Sequence, residues 1–225
     1  MMISPESYYE DNLREKDAQQ IMTIIRGLKN EMGRLKNIME HPDYGTELTV
    51  CPSEAVRLSC TREYLERAKQ ALVEVGGTYT PSQAELRALD FTDNIYHISR
   101  FLFSIGGYFG GYNTYVANLS GNKLKFESQH WEISKPVEVF DEDGEPLTKE
   151  TFLEGIRRLD MGEWMRRYSP KRFGLMVLDG TQWEIEIEYD NGHRNVRLDG
   201  YNSYPYNFNE LQAIFGIFEA SEDDE

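Results

Sequence analysis

The apolar positions change period along this chain, and the change divides it. From residue 18 to about 40, Ile21, Ile25, Leu28, Met32, Leu35 and Met39 recur at spacings of four and three, with Ile24 and Ile38 widening the stripe. That is a helical seam of under three heptads. Asp17 and Gln20 form a capping-box pattern at its start. A shorter helix is expected ahead of it, over about 5–15, opened by Ser4-Pro5. After His41-Pro42-Asp43-Tyr44-Gly45, Pro52-Ser53 opens another helix, with Leu58, Leu65, Ala68, Leu72 and Val75 inward and Gly76-Gly77 as its stop. Gly27 and Gly33 weaken the first long helix by about 1 kcal/mol each relative to Ala. Their small size suggests close approach of a neighbouring helix. Two matched seams predict an antiparallel helical hairpin.

Thr80-Pro81-Ser82-Gln83 marks a short connecting helix to about Leu89, and then the period falls to two. Phe101, Phe103 and Ile105 alternate ahead of the glycine-rich run 106–111. Tyr112, Thr114, Val116, Leu124 and Phe126 continue the pattern, giving two or three antiparallel strands. Thr148 caps a helix to Leu159, and Asp160–Glu163 reads as one more capping box. The clearest unit comes last. Trp183, Ile185, Ile187 and Tyr189 alternate with Glu184, Glu186 and Glu188, Asp190-Asn191-Gly192 is a turn, and Val196 and Leu198 continue the apolar face. Arg197 is expected across from the glutamates. Asn207–Glu210 then reads as a capping box, followed by Leu211, Ile214, Phe215 and Phe218 on one helical face. The expected fold is α+β: an N-terminal antiparallel helical hairpin, then an antiparallel sheet with two or three packed helices. The expected divisions are a hairpin over 1–78, a connecting helix over 79–97, an α+β domain over 98–218 and an acidic tail over 219–225.

Charge sharpens this picture. The formal net charge is -15, from 39 Asp/Glu against 24 Lys/Arg. Residues 1–90 carry 15 acids and 11 bases, and residues 91–225 carry 24 and 13. A field of that sign repels phosphate backbones, so direct nucleic-acid binding is disfavoured and a basic protein partner is favoured. No apolar run approaches the roughly 20 residues of a membrane span. The N-terminus lacks a basic-then-apolar leader pattern, and the two cysteines, Cys51 and Cys60, read as free thiols. A cytoplasmic protein is expected.

Chemical motifs are sparse. The glycine run 106–111 lacks the register of a phosphate loop, and a strand follows it rather than a helix. His41, His97, His130 and His193 form no metal-ligand spacing with each other or with the cysteines. No catalytic residue, cofactor or metal is assigned. Glu184, Glu186 and Glu188, with Asp141, Glu142 and Asp143, are a candidate carboxylate surface. Arg166, Arg167, Lys171 and Arg172 make a local basic patch suited to pairing with those carboxylates, or to phosphate or an acidic peptide. Asn202, Tyr204 and Tyr206 form an aromatic-polar rim beside the last helix. Ile21, Ile24 and Ile38 are the candidate face for a partner, a homodimer included.

The pattern D-G-x-x-W in Asp179, Gly180 and Trp183, followed by G-x-N-x-Y-P in Gly200, Asn202, Tyr204 and Pro205 with Phe208 beyond, resembles a C-terminal module of an uncharacterised bacterial protein family. The stretches IMTIIRGLKNEMGRLKNIMEHPDYG, CTREYLERAKQAL and FSIGGYFGGY are similar to the rest of such proteins. The resemblance implies a bacterial cytoplasmic or mobile-element setting and brings no catalytic residue with it. Three functions follow: a non-catalytic protein-binding protein, an acidic inhibitor of a nucleic-acid-handling enzyme of the kind met in anti-phage defence, and an enzyme whose site assembles only in space.

Overall fold

A computed structural model describes residues 2–46, 51–107, 110–119, 121, 123–130, 133–140, 144–177 and 179–217. The fold is mixed α+β and falls into two compact units, Met1–Pro81 and Ser82–Glu225. The helix expected as a connector therefore belongs to the second unit.

The first unit is helical. α1 (Pro5–Asn12) is capped by the Ser4 hydroxyl. α2 (Ala18–Met39) starts at the expected Asp17–Gln20 capping box, and α3 (Glu54–Glu74) is capped by Ser53. Leu13, Ile21, Ile25, Leu65, Ala68, Ala71 and Leu72 form one buried cluster, so α2 and α3 pack along much of the predicted seams, while Val75, expected inward, lies past the helix end and is 48% exposed. α1 is held against α3 by Tyr8 stacked on Tyr64, with centroids 4.2 Å apart, and by Arg67 over the Tyr9 ring at 3.9 Å. The expected close approach at Gly27 and Gly33 does not occur. Nothing lies within 4 Å of a Cβ built at either position.

In the second unit, α4 (Gln83–Asn94) is followed by β1 (Ile98–Gly107), β2 (Gly111–Asn118), β3 (Lys125–His130) and β4 (Ile133–Val137). Then come α5 (Lys149–Arg158), β5 (Arg167–Tyr168), β6 (Gln182–Tyr189), β7 (Val196–Tyr201) and α6 (Phe208–Ile214). The strands make one seven-stranded sheet in the order β4-β3-β2-β1-β6-β7-β5, antiparallel except for β5 against β7. β1 sits at its centre, paired with β2 and β6, which joins the glycine-rich strands to the Trp183 hairpin. The inward residues Phe101, Phe103, Ala117, Phe126, Trp183, Ile185, Ile187 and Leu198 share one core with Phe91 and Ile95, with Phe152, Leu153 and Ile156 of α5, and with Phe208, Leu211 and Phe215 around α6.

Several expected boundaries change. Ser82 rather than Thr80 caps α4, with Glu85 completing the box, and the helix runs to Asn94. Asp160 takes a left-handed conformation with φ 49° and makes no cap, so Met161–Glu163 is only a 3-10 turn. Asn207 flanks α6 without a side-chain cap. Its amide turns inward, accepting from Trp164 Nε1 at 3.1 Å and donating to the Leu159 carbonyl at 2.9 Å. Two buried polar groups outcompeted one exposed helix end for this side chain. The expected helix face continued to Phe218, which lies outside the described residues, and α6 ends at Ile214.

Candidate functional site

The period-two pattern of β6 places Trp183, Ile185 and Ile187 in the core, and Glu184, Glu186 and Glu188 on the other side of the sheet. The pairing register then gives the whole outer face. Gln129, Thr114, Ser104, Glu184, Asp199 and Arg167 form one row across β3, β2, β1, β6, β7 and β5. Glu127, Val116, Leu102, Glu186 and Arg197 form the next, and Lys125, Asn118, Arg100 and Glu188 the third. The buried residues of α4, α5 and α6 all belong to the core on the opposite side.

This outer face is polar but internally matched. Arg197 reaches Glu186 at 2.9 Å, Arg100 reaches Glu188 at 2.8 Å, and Arg167 reaches Asp199 at 2.9 Å. The Glu186 hydrogen bond holds the Arg197 guanidinium above its ordinary pKa. Ser104 and Thr114 share a hydroxyl hydrogen bond of 3.0 Å. Two of the three candidate glutamates are thus already countered by arginines, one of them the Arg197 expected from the sequence. The basic patch pairs differently from the expectation: Arg167 takes Asp199, not a glutamate of β6. Asp141, Glu142, Asp143 and the 219–225 tail lie outside the described residues. Of the 26 Asp/Glu in the second unit, nine fall at 132, 141–143 and 219–225, so its described residues carry 17 against 14 Lys/Arg.

Asn202 and Tyr204 are engaged within the fold. Asn202, at φ 44°, accepts from Thr181 N at 2.8 Å and donates to the Asp179 carbonyl at 3.1 Å. Gly180 lacks the Cβ that would overlap the Asn202 amide, and Gly200 lacks one that would overlap the Trp183 indole. Trp183 Nε1 donates to the Ser203 carbonyl at 2.9 Å. Tyr204 packs on Phe208 with centroids 4.9 Å apart, and burial pushes its hydroxyl pKa up. The D-G-x-x-W and G-x-N-x-Y-P residues therefore form a single lock around one tryptophan. Tyr206 is half-buried. In the first unit Ile21 is interior at 1% exposure, while Ile24 and Ile38 are half-buried.

The fold also gathers residues that sequence separation hid. The turn between β6 and β7 meets the end of α4 through His193 and Asp90 at 2.9 Å, Asn191 and Asn94 at 2.8 Å, and His97 and Asp190 at 3.2 Å. Tyr189 packs on His193, and burial, with Asp90 nearby, raises its hydroxyl pKa. Spacings of 93 to 103 residues leave no local signal for these pairs. Among the described residues no group of three or more His, Cys, Asp and Glu is placed to hold a metal ion. Cys51 and Cys60 are free thiols. A cleft of about 390 Å³ in the first unit is lined by Pro5, Glu6, Arg62, Glu63, Glu66, Arg67 and Gln70. Among the described residues no helix is long and apolar enough to cross a membrane.

No family model matches the chain, and neither a curated protein nor a solved structure matches it.

Proposed function

We propose that this is a non-catalytic interaction protein that docks a protein partner on the outer face of its sheet, the side away from the buried residues of α4, α5 and α6. The observation that carries the reading is the segregation of the buried helix side chains to one side, leaving the outer rows uncovered by them. In that face Leu102 is half-buried among hydroxyls, Gln129 and ion pairs, and its neighbour Val116 is buried at 3% exposure. A basic partner would meet Glu184, the one β6 glutamate without an arginine directly opposite it. The nucleic-acid-mimic reading has weaker support, because much of the excess negative charge of this unit falls outside the described residues. The free cysteines support a cytoplasmic setting.

We also read α2 and α3 as the antiparallel hairpin and α4, α5 and α6 as a helical layer on the sheet. Ile24 and Ile38 remain the residues through which a second copy would pair. Sedimentation equilibrium at high concentration tests that part, and a strict monomer removes it.

The main test is comparative capture. Wild type and a Ser104→Arg/Thr114→Arg variant, both verified as folded by circular dichroism, are used as bait. The reading expects a protein retained by wild type to be lost by the variant. Equal retention of every captured protein would refute it.

A further inference from the structure

We propose that the segment from Met165 to Val177 is a second docking surface, for an acidic peptide segment of a partner protein that carries apolar side chains. The proposal goes beyond the outer-face reading and stands without it. Over these 13 residues the chain has Arg166, Arg167, Lys171 and Arg172 and no carboxylate, against an overall charge of -15. Tyr168 and Pro170 are buried and fix the segment to the fold, and Tyr201 ties its far end down through a hydrogen bond to the Val177 carbonyl. Ser169 and Phe173 are half-buried, and the other residues are exposed. Met176 is 86% exposed, and Met165, Leu175 and Val177 are each about 40% exposed. Exposed apolar side chains this close together mark an interaction site more often than chance solvent exposure does. Methionine suits such a site because its flexible thioether adapts to different partners.

The cations are placed to act with that apolar tip. Arg172 lies over the Phe173 ring at 4.6 Å and beside Tyr168 at 6.0 Å, so aromatic faces orient its guanidinium. Among the described residues Arg166 and Lys171 have no ion-pair partner. A guanidinium and an ammonium beside exposed methionine and leucine define the complement: carboxylates interspersed with apolar side chains.

Size decides between an acidic peptide and larger anions. Outside this segment the described residues of the second unit carry 17 Asp/Glu against ten Lys/Arg. A lipid surface is flat and extended, so it would also meet carboxylates beside the segment such as Asp199, whose side chain is 46% exposed and 2.9 Å from Arg167, within the roughly 8 Å reach of electrostatics at physiological salt. A nucleic-acid strand would run past them in the same way and would find Phe173 already covered by Arg172. A short peptide touches only the patch.

The test uses the full chain and a dye-labelled ten-residue peptide with six Asp/Glu and two Leu, read by fluorescence anisotropy. Saturable binding is expected, weakening with added salt. Replacing both Leu by Ser in the peptide, or Leu175→Ser/Met176→Ser in the protein, should weaken it about tenfold, the scale of partly burying such side chains. Arg166→Glu/Lys171→Glu should weaken it at least as much. All these positions are exposed, so the variants keep the fold, which circular dichroism checks. Absence of saturable binding, wild-type affinity in either protein variant, or tighter binding of anionic vesicles or a short oligonucleotide would each overturn the proposal.

Discussion

Substituting Gly200 by alanine tests the lock around Trp183 most directly. A Cβ at position 200 would overlap Nε1 and Cε2 of the indole. The indole is 2% exposed and wedged among Trp164, Tyr168 and Phe208, so it cannot rotate away freely. Overpacking of a filled core costs about 1–3 kcal/mol. Displacing the indole also strains its hydrogen bond to the Ser203 carbonyl, worth about 1 kcal/mol. The expected loss is about 2–4 kcal/mol. For a unit of roughly 140 residues, at about 3 °C per kcal/mol, the melting temperature should fall by roughly 6–12 °C. Differential scanning calorimetry reads this on the second unit's transition. Trp183→Phe supplies the control, since a smaller ring should make Gly200→Ala less costly in that background. A shift under about 1 °C, or an undiminished cost in the Trp183→Phe background, would show that Gly200 is not there to make room for the indole.

Three further outcomes follow from the same geometry. Asn207→Ala should cost about 2–4 kcal/mol by urea unfolding, because it strands the Trp164 N–H and the Leu159 carbonyl in the interior. Gly27→Ala with Gly33→Ala should stabilise the first unit by about 1–2 kcal/mol in thermal melts, since both face open space within a helix. Glu210 is exposed, yet partial desolvation by its neighbours, then Asp160, raises its pKa in the folded chain. A carboxyl with a raised folded pKa penalises folding once it ionises, so Glu210→Gln should stabilise at pH 7 and lose that advantage below about pH 4.5, where both states are protonated; a pH series of melting temperatures decides it.

The sequence alone determined the elements whose causes are local. The four-three spacing from Ile21 to Met39 and the alternation from Trp183 to Tyr189 report burial on one side of a helix and of a strand, and neighbours within a few residues suffice to set them. The caps at Ser4, Asp17, Ser53 and Thr148 are local in the same sense, as is the pairing of Arg197 with Glu186 across a short hairpin. Only the tertiary structure decided what depends on partners far along the chain. β1 pairs with β6 across some 80 residues, Asn207 leaves its helix end for two interior groups, and Asn202 turns from a candidate rim into the clamp on the Trp183 lock. The same distinction separates the two surfaces. The basic run was legible as composition, but that Leu175, Met176 and Val177 stand exposed beside it follows from which neighbouring residues the core had room to bury.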